Sequence, residues 1–436
     1  MAKPPKKSPS RLLSLAGMTA RIGSDVARDR WQRLWQKDID SSAADAALYT
    51  RIGREIAATL GNMKGAVMKV GQIISQYRDV LPAELIEALS SLQNQAPARP
   101  FSEVEARLIE AFGSDWRQHF QRVDEIALAS ASIAQVHRAC TRDGREVVVK
   151  VQYPDVDQSI KADLRQLRMA FKIARVLPVN GELLDAIFEE IRQSLSDELD
   201  YFLEANTLQR FREFHQDDPL VIIPEVVVAL SSRHVLTLIY EPGDHFAELD
   251  ARYDQATRNA LGERLFRSMA RQLFILKTVH CDPHPGNFAA RRDGSIIMYD
   301  FGSVKTLSDA GVQRYASITE AALANDAQRL EQGLIAMGAR NTDHTPHLDA
   351  AFYAPWMRLA GASIGDDIVK YGEFPLAEIA MKLSREALPH WRAFQPVPEQ
   401  VMINRAIGGH YWNLRELRAE LAMRPEVLAW TSAALA

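Results

Sequence analysis

The stretch His280-Cys281-Asp282-Pro283-His284-Pro285-Gly286-Asn287-Phe288, followed by Ile296-Ile297-Met298-Tyr299-Asp300-Phe301-Gly302, decides the reading of this chain. An aspartate is followed five positions later by an asparagine, and further on by Asp-Phe-Gly. Asp293-Gly294 is a turn signal between the two parts and predicts a strand pair there. Carboxylate and amide oxygens suit a hard divalent cation such as Mg²⁺. Phosphoryl transfer also needs an acid to orient or deprotonate the attacking oxygen. On this reading Asp282 is the base or orienter, and Asn287 and Asp300 are the metal ligands. Zinc held by His280 and His284 is an alternative that lacks the ligand set of a four-coordinate site.

Upstream, Ala129-Ser130-Ala131-Ser132-Ile133-Ala134 is a run of small residues. Asp143-Gly144 marks a hairpin turn, and Glu146-Val147-Val148-Val149-Lys150-Val151 reads as a strand with a lysine embedded in it. A lysine in a β-branched run is out of place unless it faces an anion. Kinases place a covering loop, a hairpin and a strand lysine in this order over the nucleotide phosphates. Taken alone, the same residues describe an edge hairpin with a surface lysine.

A phosphate lysine needs a carboxylate to hold it. Residues Glu182 to about Phe214 read as one long helix, or two end to end, carrying Glu198, Asp200 and Glu204. In an unbroken helix Asp200 and Glu204 share a face, and Glu198 points away from Asp200. Val226-Val227-Val228 and Val235 to Tyr240 read as short strands, and Glu241-Pro242-Gly243-Asp244 as a connector. Tyr240 and Glu241 thus stand where a kinase has its adenine-binding hinge. A helix is expected near Thr257 to Lys277. The ordered series of loop, lysine, helix carboxylate, Asp…Asn and Asp-Phe-Gly predicts a kinase-like nucleotide site for ATP and Mg²⁺.

The region before the loop reads as helical, with Ser102-Glu103-Val104-Glu105 as a capping box and an end near Gly113. One segment is odd: Lys64-Gly65-Ala66-Val67-Met68-Lys69-Val70-Gly71-Gln72. Each glycine inside a helix costs about 1 kcal/mol relative to alanine, so Gly65 and Gly71 need a reason, such as close approach to another backbone. Lys69 by itself reads as a solvated helix residue.

With these residues in view, the chain resembles the UbiB family of atypical protein-kinase-like proteins, tied to ubiquinone biosynthesis. The resemblance runs from about Arg51 to Val304. It rests most specifically on Lys69-Val70-Gly71-Gln72, the family's KxGQ, and on Glu198-Leu199-Asp200, its ExD. Ala129, Ser130, Ala131 and Ser132 match the alanine-rich loop that replaces a glycine-rich one, with Ser130 where alanine is usual and Ala134 where glycine is usual. The resemblance implies that Lys150 is the phosphate lysine, that Glu204 is its helix partner, and that Lys69 folds over the site near Glu198 and Asp200, where a protein substrate would otherwise dock. Cys281 stands where many kinases have arginine, and no Ala-Pro-Glu segment follows Gly302.

Composition sets the outer bounds. The chain has 436 residues, 47% of them hydrophobic and 25% charged, with 52 Lys+Arg against 56 Asp+Glu. These are ordinary globular values and give no global case for nucleic-acid binding. Two cysteines exclude a disulfide framework and point to a reducing compartment. No apolar run reaches the roughly 18 residues of a spanning helix. Lys3, Lys6, Lys7, Arg11 and Arg21 precede the first acid, Asp25, and Leu12, Leu15, Ile22 and Val26 fall near one stripe. That is a basic amphipathic helix suited to an anionic membrane surface, or a tail followed by a helix packed on its own domain.

The expected architecture is a two-lobed α+β kinase-like fold. It comprises a basic segment (1–40), a helical extension (41–120), an N-lobe with inserted helices (121–243), and a C-lobe with C-terminal helices (244–436). The expected function is Mg²⁺-dependent ATP hydrolysis or phosphoryl transfer. The resemblance adds an isoprenoid lipid or quinone precursor as partner. The expected place is the cytoplasm or the inner membrane surface. Two other readings fit the catalytic loop: a small-molecule kinase of the aminoglycoside or choline phosphotransferase type, and a nucleotide-binding scaffold without turnover.

Overall fold

The computed structural model describes residues 98–130, 133–154, 181–343, 348–395 and 397–436, with scattered residues before 98 and between 156 and 168. The Lys69-Val70-Gly71-Gln72 segment, Ala131 and Ser132, and most of the basic N-terminal segment lie outside the described residues. The chain divides into two compact units, Met1–Ala205 with Val226–Tyr240, and Asn206–Glu225 with Glu241–Ala436.

In the first unit, α1 (Phe101–Phe112) ends at Gly113, whose φ of 86° is a conformation that favours glycine. The expected capping box does not form. The helix starts at Phe101 with no side-chain cap, because the Phe101 ring belongs to the face packed on the core. Four strands follow: β1 (Phe120–Val123), β2 (Ala129–Ser130), β3 (Ala134–Thr141) and β4 (Glu146–Gln152). The predicted Asp143-Gly144 turn joins β3 to β4 antiparallel, with Gly144 at φ 86°. Val147, Val149 and Val151 of β4 enter a core with Val104, Leu108 and Trp116. Strand alternation therefore turns Val148 and Lys150 to the opposite face.

Two helices end to end come next, α2 (Gly181–Glu198) and α3 (Tyr201–Phe214). After β5 (Val221–Ile222), which belongs to the second unit, β6 (Val235–Ile239) completes the first sheet in the order β1-β3-β4-β6, with β2 on β3. The expected strand at Val226-Val227-Val228 is reduced to one bridge, Val226 to Leu238. The chain then turns over Val228–Leu230, because Ser231 Oγ donates to Val227 O at 3.0 Å and accepts from Thr237 N at 3.1 Å.

In the second unit, β7 (Asp244–His245) and α4 (Phe246–Arg252) lead to α5 (Gln255–Arg271), capped by Asp254 on Thr257 N at 2.8 Å. A wide turn over Gln272–Leu276 extends α5 and ends at Lys277 with φ 57°. Then come β8 (Thr278–His280), β9 (Phe288–Ala290), β10 (Ile296–Met298) and β11 (Val304–Thr306). One sheet has the order β5-β10-β9-β7, and β8 pairs β11. The remaining elements are α6 (Asp309–Leu323), α7 (Ala327–Ala336), α8 (Ala350–Ser363), β12 (Val369–Lys370), α9 (Leu376–Glu386), α10 (Pro398–Glu416), β13 (Glu420–Leu421) and α11 (Arg424–Leu435). No helix among the described residues is long and apolar enough to cross a membrane.

Helix α10 approaches the segment after β8 at backbone distance. A Cβ on Gly409 would lie 2.1 Å from Pro283 Cγ and 2.6 Å from its Cβ. A closed pyrrolidine ring cannot swing aside, so Gly409→Ala is expected to cost about 1–3 kcal/mol through overpacking. Urea denaturation reads this directly, and an unchanged midpoint would show that the helix and Pro283 separate at no cost.

Candidate active site

Lys150 sits mid-strand, opposite Val136 on β3 and Leu236 on β6. Its Nζ lies 2.8 Å and 3.0 Å from the two carboxylate oxygens of Glu204 on α3. Glu204 is 3% exposed. Lys150 Nζ also stands 5.2 Å from the ring centroid of the buried Tyr201. Two charges withdrawn from water in this way fix each other's geometry, and losing either partner strands the other.

The two faces expected of one continuous helix arise differently. Leu199-Asp200 breaks the helix, so Asp200 is not a face residue of α3 but its opening. Asp200 Oδ1 accepts from Phe202 N at 3.1 Å, and its carbonyl accepts from Leu203 N at 3.0 Å. A short aspartate at this position satisfies helix N–H groups that have no intrahelical partner. Asp200 Oδ2 also faces Arg233 Nε at 3.6 Å. Glu198 is the last residue of α2.

Ala129 and Ser130 form β2, paired with Val136 and Gln135. Tyr240 donates its backbone N–H to Glu146 O at 3.0 Å, under the Arg138 guanidinium at 4.3 Å from its ring. Glu241 belongs to the second unit. Its carbonyl accepts from Tyr299 OH at 2.8 Å and its carboxylate accepts from Arg291 Nη2 at 2.5 Å. These backbone groups are therefore already engaged.

In the second unit, β8 delivers His280 and the turn after it delivers Asp282. His284 Nδ1 accepts from Gly286 N at 3.0 Å, which shapes the turn over Pro285–Asn287. Asn287 Nδ2 then donates to Asp282 Oδ2 at 2.8 Å and to Asp282 O at 3.1 Å. With the amide NH₂ directed to Asp282, the carbonyl oxygen is the atom Asn287 could offer a cation. Asp300 Oδ1 accepts from Gly302 N at 2.9 Å, and Asp300 O accepts from His280 Nε2. An amide oxygen and a carboxylate are the hard donors that Mg²⁺ takes.

The histidines do other work. His280 is fully buried, with its ring edge-on to Phe301 at 5.0 Å and to Phe288 at 5.6 Å. Burial lowers its pKa, so it is a neutral packing piece that donates to Asp300. His410 on α10 packs on Phe288 at 5.6 Å, and burial, then the neighbouring His280, pushes it down to about 3. No group of three or more His, Cys, Asp or Glu that could hold a metal occurs among the described residues, and His280 and His284 are engaged elsewhere. Burial pushes the Cys281 thiol up to about 12, so the residue standing in the arginine position is an inert core side chain that donates to Val279 O at 3.2 Å.

One contact had no signal in the sequence. Arg405 Nη2 of α10 lies 2.9 Å from Asp282 Oδ1, across 123 positions of chain.

A lysine–glutamate pair on sheet and helix, an Asp–Asn loop and an Asp-Phe-Gly turn match one description. Residues 91–334, more than half of the chain, match the ABC1 atypical kinase-like domain. The chain belongs to the ABC1 atypical kinase-like family. The expected UbiB resemblance and kinase-like fold are both borne out. Similar curated relatives include "Atypical kinase coq-8, mitochondrial" of Caenorhabditis elegans, 29% identical over 84% of this chain and 49% of the relative. Another is "Atypical kinase COQ8, mitochondrial" of Saccharomyces cerevisiae, 30% identical over 76% of this chain and 66% of the relative. The chain thus spans about half the length of the worm relative and just under two thirds of the yeast one. Among solved structures, Rv3197 of Mycobacterium tuberculosis, determined with erythromycin, superposes with a TM-score of 0.58 at 26% identity, over 84% of this chain and 92% of that one. The ABC1 match ends before α10, so Arg405 lies outside it.

Proposed function

We propose that this ABC1-family chain binds Mg-ATP and slowly hydrolyses it or transfers its γ-phosphoryl group. The observation that carries the reading is the buried Lys150–Glu204 pair, with Nζ held 2.8 Å from Oε1 on the face opposite the core valines. A charged pair placed there has a use if the ammonium also meets phosphate oxygens. Ala129, Ser130, Ala131 and Ser132 would cover the phosphates, and Tyr240 and Glu241 would flank the adenine. Asn287 and Asp300 would hold Mg²⁺, which supplies neutralisation of β- and γ-phosphate charge when bound. Asp282 would take or orient the proton of the attacking oxygen as the γ-phosphoryl leaves ADP.

Three finer elements belong to the same proposal. The acceptor is placed in isoprenoid-lipid or quinone metabolism, by analogy with the family and with relatives named coq-8 and COQ8. The basic N-terminal segment rests on an anionic membrane surface. The Lys69-Val70-Gly71-Gln72 segment crosses the protein-substrate groove, with Lys69 toward Glu198 and Asp200.

Single-turnover incubation with γ-labelled ATP tests the activity. Label is expected as free phosphate or on a small acceptor, with little on added protein substrates. Tight Mg-ATP binding with no label released would favour the scaffold reading. Lys69→Ala is expected to change turnover and to permit autophosphorylation. If affinity, hydrolysis and autophosphorylation all stay at wild-type values, the segment does not occlude a groove.

A further inference from the structure

Helix α10 lays one stripe against the catalytic loop. Arg405, Gly409 and Asn413 are spaced at four-residue intervals and so share a face. Arg405 reaches Asp282 Oδ1 at 2.9 Å. Gly409 has no room for a Cβ against Pro283. The buried Asn413 donates from Nδ2 to Pro283 O at 3.0 Å. Beside them, His410 packs its ring on Phe288, just after Asn287. The helix is therefore seated on residues 282–288 by several independent contacts, and Arg405 is delivered by a fixed backbone.

The carboxylate of Asp282 is held from two sides. Arg405 takes Oδ1 at 2.9 Å and Asn287 Nδ2 takes Oδ2 at 2.8 Å. Two donors on two oxygens fix the plane of the carboxylate. The loop supplies no arginine of its own beside Asp282, because that position is the buried, neutral Cys281.

We propose that Arg405 is a positioning residue for Asp282, and that α10 is thereby part of the catalytic apparatus rather than a packing appendage. The inference rests on the reading of Asp282 as the residue that meets the attacking oxygen. Arg405 acts on the chemical step and does not touch the nucleotide. Its loss therefore lowers kcat and leaves nucleotide affinity in place. A helix that merely braced the fold would, when weakened, lower stability and leave the turnover of the folded fraction unchanged.

The test compares the full-length wild type with Arg405→Gln and Arg405→Lys. Three measurements are made: Mg-ATP affinity by calorimetry, kcat and KM for phosphate release, and amide hydrogen exchange over residues 281–288. Arg405→Gln is expected to keep affinity and KM within about twofold, while kcat falls by about tenfold or more, the scale of one mispositioned acid–base group. Exchange in the loop should accelerate. Arg405→Lys, which keeps a cationic donor, should recover part of kcat and of the protection. Wild-type kcat in Arg405→Gln overturns the proposal, as does a kcat loss matched by equal loss of affinity and unrelieved by lysine. If the wild type binds Mg-ATP but releases no phosphate, the proposed activity fails separately. Arg405 is then judged on exchange alone: loop protection lost in Gln and regained in Lys supports the positioning role, and unchanged protection overturns it.

Discussion

Asp300→Asn is expected to leave the chain folded and to remove most of the proposed Mg²⁺-dependent nucleotide binding and turnover. Asparagine keeps an Oδ1 that can accept from Gly302 N, as Asp300 does at 2.9 Å, and the backbone carbonyl that receives His280 is untouched. The turn therefore survives while the negative charge is lost. Affinity for Mg-ATP should fall by about tenfold or more, roughly 1.4 kcal/mol. Turnover should fall further, on the order of a hundredfold, the scale for losing one charge-stabilising group in a transition state. Titrations with and without Mg²⁺ separate metal-dependent from metal-independent binding. Equal Mg-ATP affinity in Asp300→Asn and wild type would sink the metal assignment.

The second large effect concerns Lys150 and Glu204. Lys150→Met takes the ammonium from the buried Glu204 carboxylate, and Glu204→Gln takes that carboxylate from the Lys150 ammonium. Each single change is expected to destabilise the chain by about 3 kcal/mol, the lower end for breaking a buried pair. The double variant should be less destabilised than the sum of the singles, by about 1–3 kcal/mol, because the second change removes a charge already stranded. A chemical-denaturation cycle supplies the three differences, and strict additivity would mean that the pair does not act as one unit. Lys150→Met should in addition weaken ATP binding, because Lys150 is the proposed phosphate ligand.

The parts of this protein that could be read from sequence are those fixed over short distances. Asp143-Gly144 names its own turn, and a lysine flanked by valines betrays a face that is not core. The Asp282–Asn287 spacing closes a turn whose donor and acceptor lie five residues apart, and the structure brings them to 2.8 Å. The Lys150–Glu204 contact, across 54 positions, is implied by the family resemblance; the element order asks only for some helix carboxylate. What failed depended on local competition. Ser231 drew the chain after Val227 into a turn, and Phe101 pulled the helix start ahead of Ser102. At Leu199-Asp200, a helix opening took the place of a helix face. Arg405 could not be found at all. It is one arginine among many on a C-terminal helix, and nothing in its neighbourhood records that the helix lies on Pro283.

The three histidines enclosed in the second unit have a consequence for proton linkage. Burial, then the Arg271 charge, pushes His215 down to about 4; His410 lies at about 3, and His280 is lowered in the same direction. Unfolded, each would titrate near 6.5. Between that value and the folded one, the unfolded chain binds more protons than the native chain, so stability falls as pH falls. The loss should begin below about pH 6.5 and continue to about 4 for His215 and about 3 for His410. Both ring nitrogens of His410 are buried with no hydrogen-bond partner among the described residues, so His410→Leu should flatten the acid side of the melting-temperature profile. An unaltered profile would mean that His410 is as neutral in the unfolded chain as in the native one. These buried rings, of which His280 backs the Asp-Phe-Gly turn, thus make this fold a poor tenant of any acidified compartment.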